Sequence, residues 1–175
     1  KNLVKLNSIA FVDGYYYKPR IDFKTLSQYS EGLICLSACL AGEIPKLLLE
    51  DNFEGAKKRA EEYLEIFGEG NFFLEIQDHG IAEQKKLNPL LVKLSKETGI
   101  PLVATNDVHY IRKEDYEMHN VLLCIQTGNR VGEDNALEFK TNEFYLKTGE
   151  EMFELFPKLP QVISNTVAIA DRCNV

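Results

Sequence analysis

The chain has 175 residues, a size suited to one domain with a real core. Its apolar fraction of 45% and charged fraction of 27% are those of an ordinary soluble globular protein, and no apolar run is long enough to span a bilayer. The net charge of −7 argues against a broad electrostatic grip on nucleic acid, which needs clustered Lys and Arg, yet leaves room for a nuclease working through metal ions. The sequence opens on Lys1 rather than Met, which predicts a processed product or an excised piece, and with no secretory signal pattern the cytoplasm is the expected compartment. Its four cysteines, Cys35, Cys39, Cys124 and Cys173, form no CxxC pair and are expected as reduced thiols.

Residues 1–13, KNLVKLNSIAFVD, place Leu3, Leu6, Ile9 and Ala10 at helical spacing and predict a short amphipathic helix. GYYYKPR breaks it, and Asp22 is the N-cap candidate of a second short helix over DFKTLSQYS. The apolar run Leu33 to Leu36 follows a glycine and predicts a buried strand of the parallel type. GEIPKLLLED reads as a short helix. NFEGAKKRAEEYLEIFG reads as a longer one, capped by Asn52, with Ala56, Ala60, Leu64 and Phe67 on one face and Gly68 as its stop. A second strand over NFFLEIQDHG, a helix closed by Gly99 and a third strand over IPLVATNDVHY come next.

Beyond it, RKEDYEMHNVLLCIQTG predicts a helix ending at Gly128, NRVGEDNALEFKTN a loop, and EFYLKT a short extended piece. Thr148 caps a helix over TGEEMFELFP, and LPQVISNTVAIADRC supplies a last helix with Val162, Thr166, Ile169 and Cys173 along one side. The order strand, helix, strand, helix, strand implies parallel strands covered by helices, an α/β fold. With no internal repeat or low-complexity linker, residues 1–175 read as one domain.

The three predicted strands share a habit at their ends. They run into Ser37-Ala38-Cys39, Asp78-His79 and Asp107-Val108-His109. Strand carboxyl ends of parallel α/β folds form the rim where ligands bind, so Cys39, His79, Asp107 and His109 are candidate ligands for Zn, Mn or Fe. In extended backbone residues i and i+2 project to one side, which would aim Asp107 and His109 together and turn Val108 into apolar packing. A metal-free reading stands beside this one, with Asp107 capping the turn and His109 bonded to it. His79 reads either as a ligand or as a polar residue of a strand-to-helix turn, and Cys39 as a ligand or a small buried thiol.

Glu75 alternates with Leu74 and Ile76, so it is either a base behind the ligands or a solvated side chain. His119 is expected as a packing or surface histidine, and Cys35, Cys124 and Cys173 as core residues. The YYYKPR run could stack single-stranded nucleic acid, although such a loop more often folds down on its domain or docks against a neighbour.

Taken together, GYYYKPRID, EGLICLSACLAGEIPKLL, GNFFLEIQDHGIAEQ, GIPLVATNDVHYIRKEDYEMHNVLLCIQTG and EFYLKTGEEMFELF closely resemble the PHP (polymerase and histidinol phosphatase) domain that bacterial replicative DNA polymerases carry in their amino-terminal region. The resemblance covers essentially the whole chain. It implies a distorted (β/α)7 TIM-like barrel with up to three metal ions at the strand ends. Asp107 and His109 match its last metal motif, His79 lies in a histidine-bearing motif, and Cys39 falls where related enzymes carry a histidine. The family's opening His-x-His motif is absent, so residues 1–175 are expected to be the C-terminal two-thirds of the domain. An exposed sheet edge is expected too, through which two copies could pair.

Two functional classes follow from the resemblance. One is a metal-dependent 3′–5′ exonuclease or phosphoesterase site in the intact protein. The other is structural support of the polymerase, whose remaining domains are the implied partners, with a proofreading exonuclease subunit, a sliding clamp and DNA reached through the assembled enzyme and no membrane contact. Nucleotidyl transfer needs carboxylates in a later domain, so the segment itself is not expected to make DNA. The alternative is a free-standing PHP phosphoesterase acting on a small phosphate ester.

Overall fold

The computed structural model describes residues 1–132, 139 and 141–174. The chain forms two compact units, the first from Lys1–Leu74 with Lys93–Pro101 and the second from Glu75–Val92 with Leu102–Val175. Helices and a small set of short, partly parallel strands make up both, which is the expected α/β class. Among the described residues no helix is long and apolar enough to cross a membrane.

The first unit holds α1 (Asn2–Val12), α2 (Phe23–Gln28), β1 (Cys35–Leu36), α3 (Glu43–Leu49), α4 (Phe53–Phe67) and the leading half of β2 (Phe72–Ile76). It also takes the last turns of α5 (Ala82–Thr98). Side chains placed just ahead of two helices start them. Asp22 Oδ1 accepts the Thr25 N–H at 2.7 Å, and Asn52 Oδ1 accepts that of Gly55 at 2.9 Å. Cys35 and Leu36 pair in parallel with Phe72 and Phe73. Ala56 and Ala60, wholly buried, let α4 sit close to its neighbours, with Ile44 and Leu48 of α3 in the same core. Phe72 lies stacked on Tyr63 at 5.3 Å between ring centroids.

The second unit begins with the trailing half of β2 and the first turns of α5. It continues through β3 (Leu102–Ala104), a 3₁₀ turn (Lys113–Asp115), α6 (Tyr116–Thr127), α7 (Gly149–Leu155) and α8 (Pro160–Arg172). Thr105 N–H donates to Ile76 O at 3.1 Å, continuing the ladder past β3. Gly128 closes α6 in the left-handed conformation, φ +72°, that glycine adopts without strain. Thr148 and Glu151 form a reciprocal capping box at the start of α7. The EFYLKT segment is extended only as a single parallel bridge, Tyr110 with Tyr145.

Several expectations are corrected. All three strands are shorter than predicted, and β2 and β3 stop before the polar residues that matter. Asp107 adopts φ +50°, so the extended alternation proposed for Asp-x-His does not hold, and Val108 is 42% exposed instead of packed. Cys124 is buried as expected, but Cys35 is only half-buried and Cys173 is exposed, because it follows the last turn of α8. On α1, Leu6 and Ala10 are buried while Leu3 is exposed. Residues 133–138 and 140 of the predicted NRVGEDNALEFKTN loop lie outside the described residues.

Candidate functional site

In the second unit the segment after β3 leaves the sheet at Thr105 and turns sharply at Asp107. This turn, not an extended strand, brings Asp107 Oδ1 to 3.4 Å from His109 Nε2. Both side chains stay about one-third accessible to solvent. The backbone of His109 is tied down by its N–H, which donates to Phe144 O at 2.9 Å. Aromatic rings surround its imidazole, with Phe139 at 4.7 Å, Phe144 at 5.3 Å and His119 at 5.6 Å between centroids.

His119 therefore backs the His109 ring from α6, a contact its helical setting did not signal. Its Nδ1 is buried with no hydrogen-bond partner among the described residues. Burial pulls its pKa below the ordinary histidine value, and the nearby His109 acts in the same direction.

His79 is placed differently. It is 1% exposed and lies flat on Phe144, with ring centroids 4.0 Å apart and planes 9° from parallel. Its Nε2 lies 2.7 Å from Asn106 O and its Nδ1 2.9 Å from Gln84 Nε2. As placed, the imidazole has no free lone pair for an ion. Burial lowers its pKa, opposed chiefly by the hydrogen bond to the Asn106 carbonyl.

Glu75, half-buried, accepts from the Thr105 hydroxyl and from Gln77 Nε2 at 3.1 Å. Gln77 also reaches Thr105 Oγ1 at 2.9 Å, while Asn88 of α5 donates to Gln77 O at 2.9 Å. The carboxylate is thus fixed within a polar network. A second network joins Lys113, Glu143 and the almost fully buried Lys147, whose ammonium also lies over the Tyr145 ring at 4.3 Å. Burial lowers the Lys147 pKa while Glu143 works the other way.

In the first unit Cys39 is exposed in the turn that follows β1. Its carbonyl accepts the Gly42 N–H at 2.8 Å, and a side chain at Gly42 would run into Ser37 O. The turn is therefore built tightly around a glycine.

Among the described residues no group of three or more His, Cys, Asp or Glu side chains is arranged to hold a metal ion. Asp107 and His109 give two adjacent donors. A zinc site usually takes four ligands and a magnesium site six, so the pair falls short of a closed site.

The match to known proteins bears on this arrangement. The PHP domain family model matches residues 1–79 of the chain. All 175 residues align at 52% identity with "DNA polymerase III subunit alpha" of Treponema pallidum, where they cover 15% of that protein. The protein of the same name in Borreliella burgdorferi is 49% identical over 99% of this chain and 15% of its own length. That of Thermus aquaticus is 46% identical over 100% of the chain and 14% of its own length. The chain thus spans about 15% of the length of these relatives.

Proposed function

We propose that the chain serves bacterial DNA replication as the PHP-domain part of a DNA polymerase III alpha subunit, in the cytoplasm, where it braces the other polymerase domains. The observation that carries this reading is the alignment of the whole chain, at 52% identity, with one segment of a polymerase subunit. Uncovered apolar surface supports the bracing role. Met118, Val121, Leu122 and Ile125 recur at helical spacing on α6, and all are 43% exposed or more. In the first unit a groove of ≈490 Å³ is lined by Leu6, Ala10, Ile21, Leu26, Leu36 and Phe67, among others. Surfaces of this kind suit neighbouring domains of a longer polypeptide. DNA, a proofreading exonuclease subunit and a sliding clamp are partners of that assembled enzyme. Residues 1–175 fit, on this reading, the C-terminal two-thirds of a PHP-type (β/α)7 barrel.

Asp107 and His109 are the ligands we assign first. Cys39, exposed in its own unit, keeps the capacity to coordinate, and His79 joins a ligand set only if Gln84 releases Nδ1. A bound Zn, Mn or Fe ion would supply Lewis acidity and an activated water. A 3′–5′ exonuclease or phosphoesterase activity in the longer protein needs donors beyond this pair. Calorimetric titration with Zn²⁺ and Mn²⁺ tests the assignment. A weakly held ion, lost in Asp107→Ala/His109→Ala, is the expected result. Binding of equal strength in the double variant would refute it.

A further inference from the structure

We propose that His79 is a positioning residue for the Asp107–His109 pair. A chain of hydrogen bonds around His79 admits one protonation pattern. The backbone N–H of His79 donates to Gln84 Oε1 at 2.8 Å, which fixes the orientation of the Gln84 amide. Its NH₂ group is then the atom facing His79 Nδ1 at 2.9 Å, so Nδ1 must accept. The ring proton therefore sits on Nε2, where it donates to Asn106 O at 2.7 Å. A metal-binding histidine typically donates one ring N–H to a carbonyl and gives the other nitrogen to the ion. His79 makes the first of these contacts and gives its other nitrogen to Gln84, itself 4% exposed.

What this geometry holds is the turn that carries the pair. Asn106 is fixed at its carbonyl by His79 and at its side-chain amide by Tyr145 O, 2.7 Å away. The next residue, Asp107, adopts φ +50°, a conformation that persists in a non-glycine residue when its surroundings impose it. On the other flank, the ring of Phe144 supports the His79 face, while its carbonyl takes the His109 N–H. His79 thus bears on both sides of the 3.4 Å approach between Asp107 and His109. The functional meaning of this latch rests on reading Asp107 and His109 as ion ligands.

The chain has only three histidines, so ring-nitrogen NMR during a zinc titration separates the roles. The expected result is a neutral Nε2–H tautomer for His79 that zinc leaves unmoved, with a zinc-dependent shift at His109. Gln84→Leu should erase the His79 pattern, displace the His109 signals even without zinc, and weaken zinc binding by about 10–100-fold. Gln84→Glu keeps the acceptor for the His79 N–H and draws a proton onto Nδ1 while Nε2–H still donates to Asn106 O. It should therefore change the His79 signals yet preserve the zinc response at His109, guarding against a folding defect in the leucine variant. A coordination shift at either His79 nitrogen would overturn the proposal. So would unchanged His109 signals in Gln84→Leu. Failure of the wild-type chain to bind zinc would instead sink the ion reading, and the zinc-free comparison at His109 would still decide the latch.

Discussion

Asn165 of α8 donates from Nδ2 to the carbonyl oxygen of Leu102 at 2.7 Å, across 63 residues of sequence. The bond fastens the last helix to the first residue of β3, next to the wholly buried Val162. Replacing Asn165 with leucine removes the donor and leaves a buried carbonyl unpaired, at a cost of about 1–3 kcal/mol. Urea unfolding measures it. As a packing control, Phe72→Ala should cost about 3–5 kcal/mol, since its ring is fully buried against Tyr63.

Acidification should weaken the fold through His79 and His119 before Glu143 and Glu151 titrate. His79 and His119 both have pKa values below the ordinary 6.5 because of burial. The unfolded chain takes up their protons first, so stability is fully present above 6.5 and falls as pH drops from 6.5 toward the folded values. Glu143 and Glu151 are held below 4.5, so their contributions are lost only as pH falls below that value. Urea midpoints measured between about pH 4.5 and 6.5 should therefore slope. A flat profile there would contradict the burial described for these two rings.

Much of the helical framework is legible in the sequence because its signals are local. Asp22, Asn52 and Thr148 each lie just ahead of a helix and accept a backbone N–H three residues on. The site is legible only in part. An Asp-x-His spacing marks two donors, and they do meet, but through a left-handed turn at Asp107 that spacing cannot reveal. Gln84, Asn106 and Phe144 give no signal of their own. They matter because long-range packing brings an α5 amide, a turn carbonyl and a ring against His79.

Glu151 links a cap to a phenol. Its carboxylate accepts the Tyr145 hydroxyl at 2.7 Å and pushes the Tyr145 pKa up to about 12. Ultraviolet titration of Glu151→Gln should move one tyrosine back toward the ordinary 10.0. Thr148→Ala, which removes the other half of the same capping box, should cost about 1 kcal/mol.

The α6 stripe should respond as surface, not core. Leu122→Ser/Ile125→Ser should leave stability within about 0.5 kcal/mol per site, since these side chains are 55% and 72% exposed. Binding of an apolar fluorescent dye should fall in the same variant. A large loss of thermal stability would mean that the stripe is covered within the chain itself.

The most direct measurement is degradation of 3′-labelled single-stranded DNA by the 175-residue chain in Mn²⁺, beside its Asp107→Ala/His109→Ala variant. A bracing segment with a two-donor ion site predicts no cleavage above the variant. Cleavage by the wild-type chain that disappears in the variant would contradict it and make this segment a nuclease in its own right.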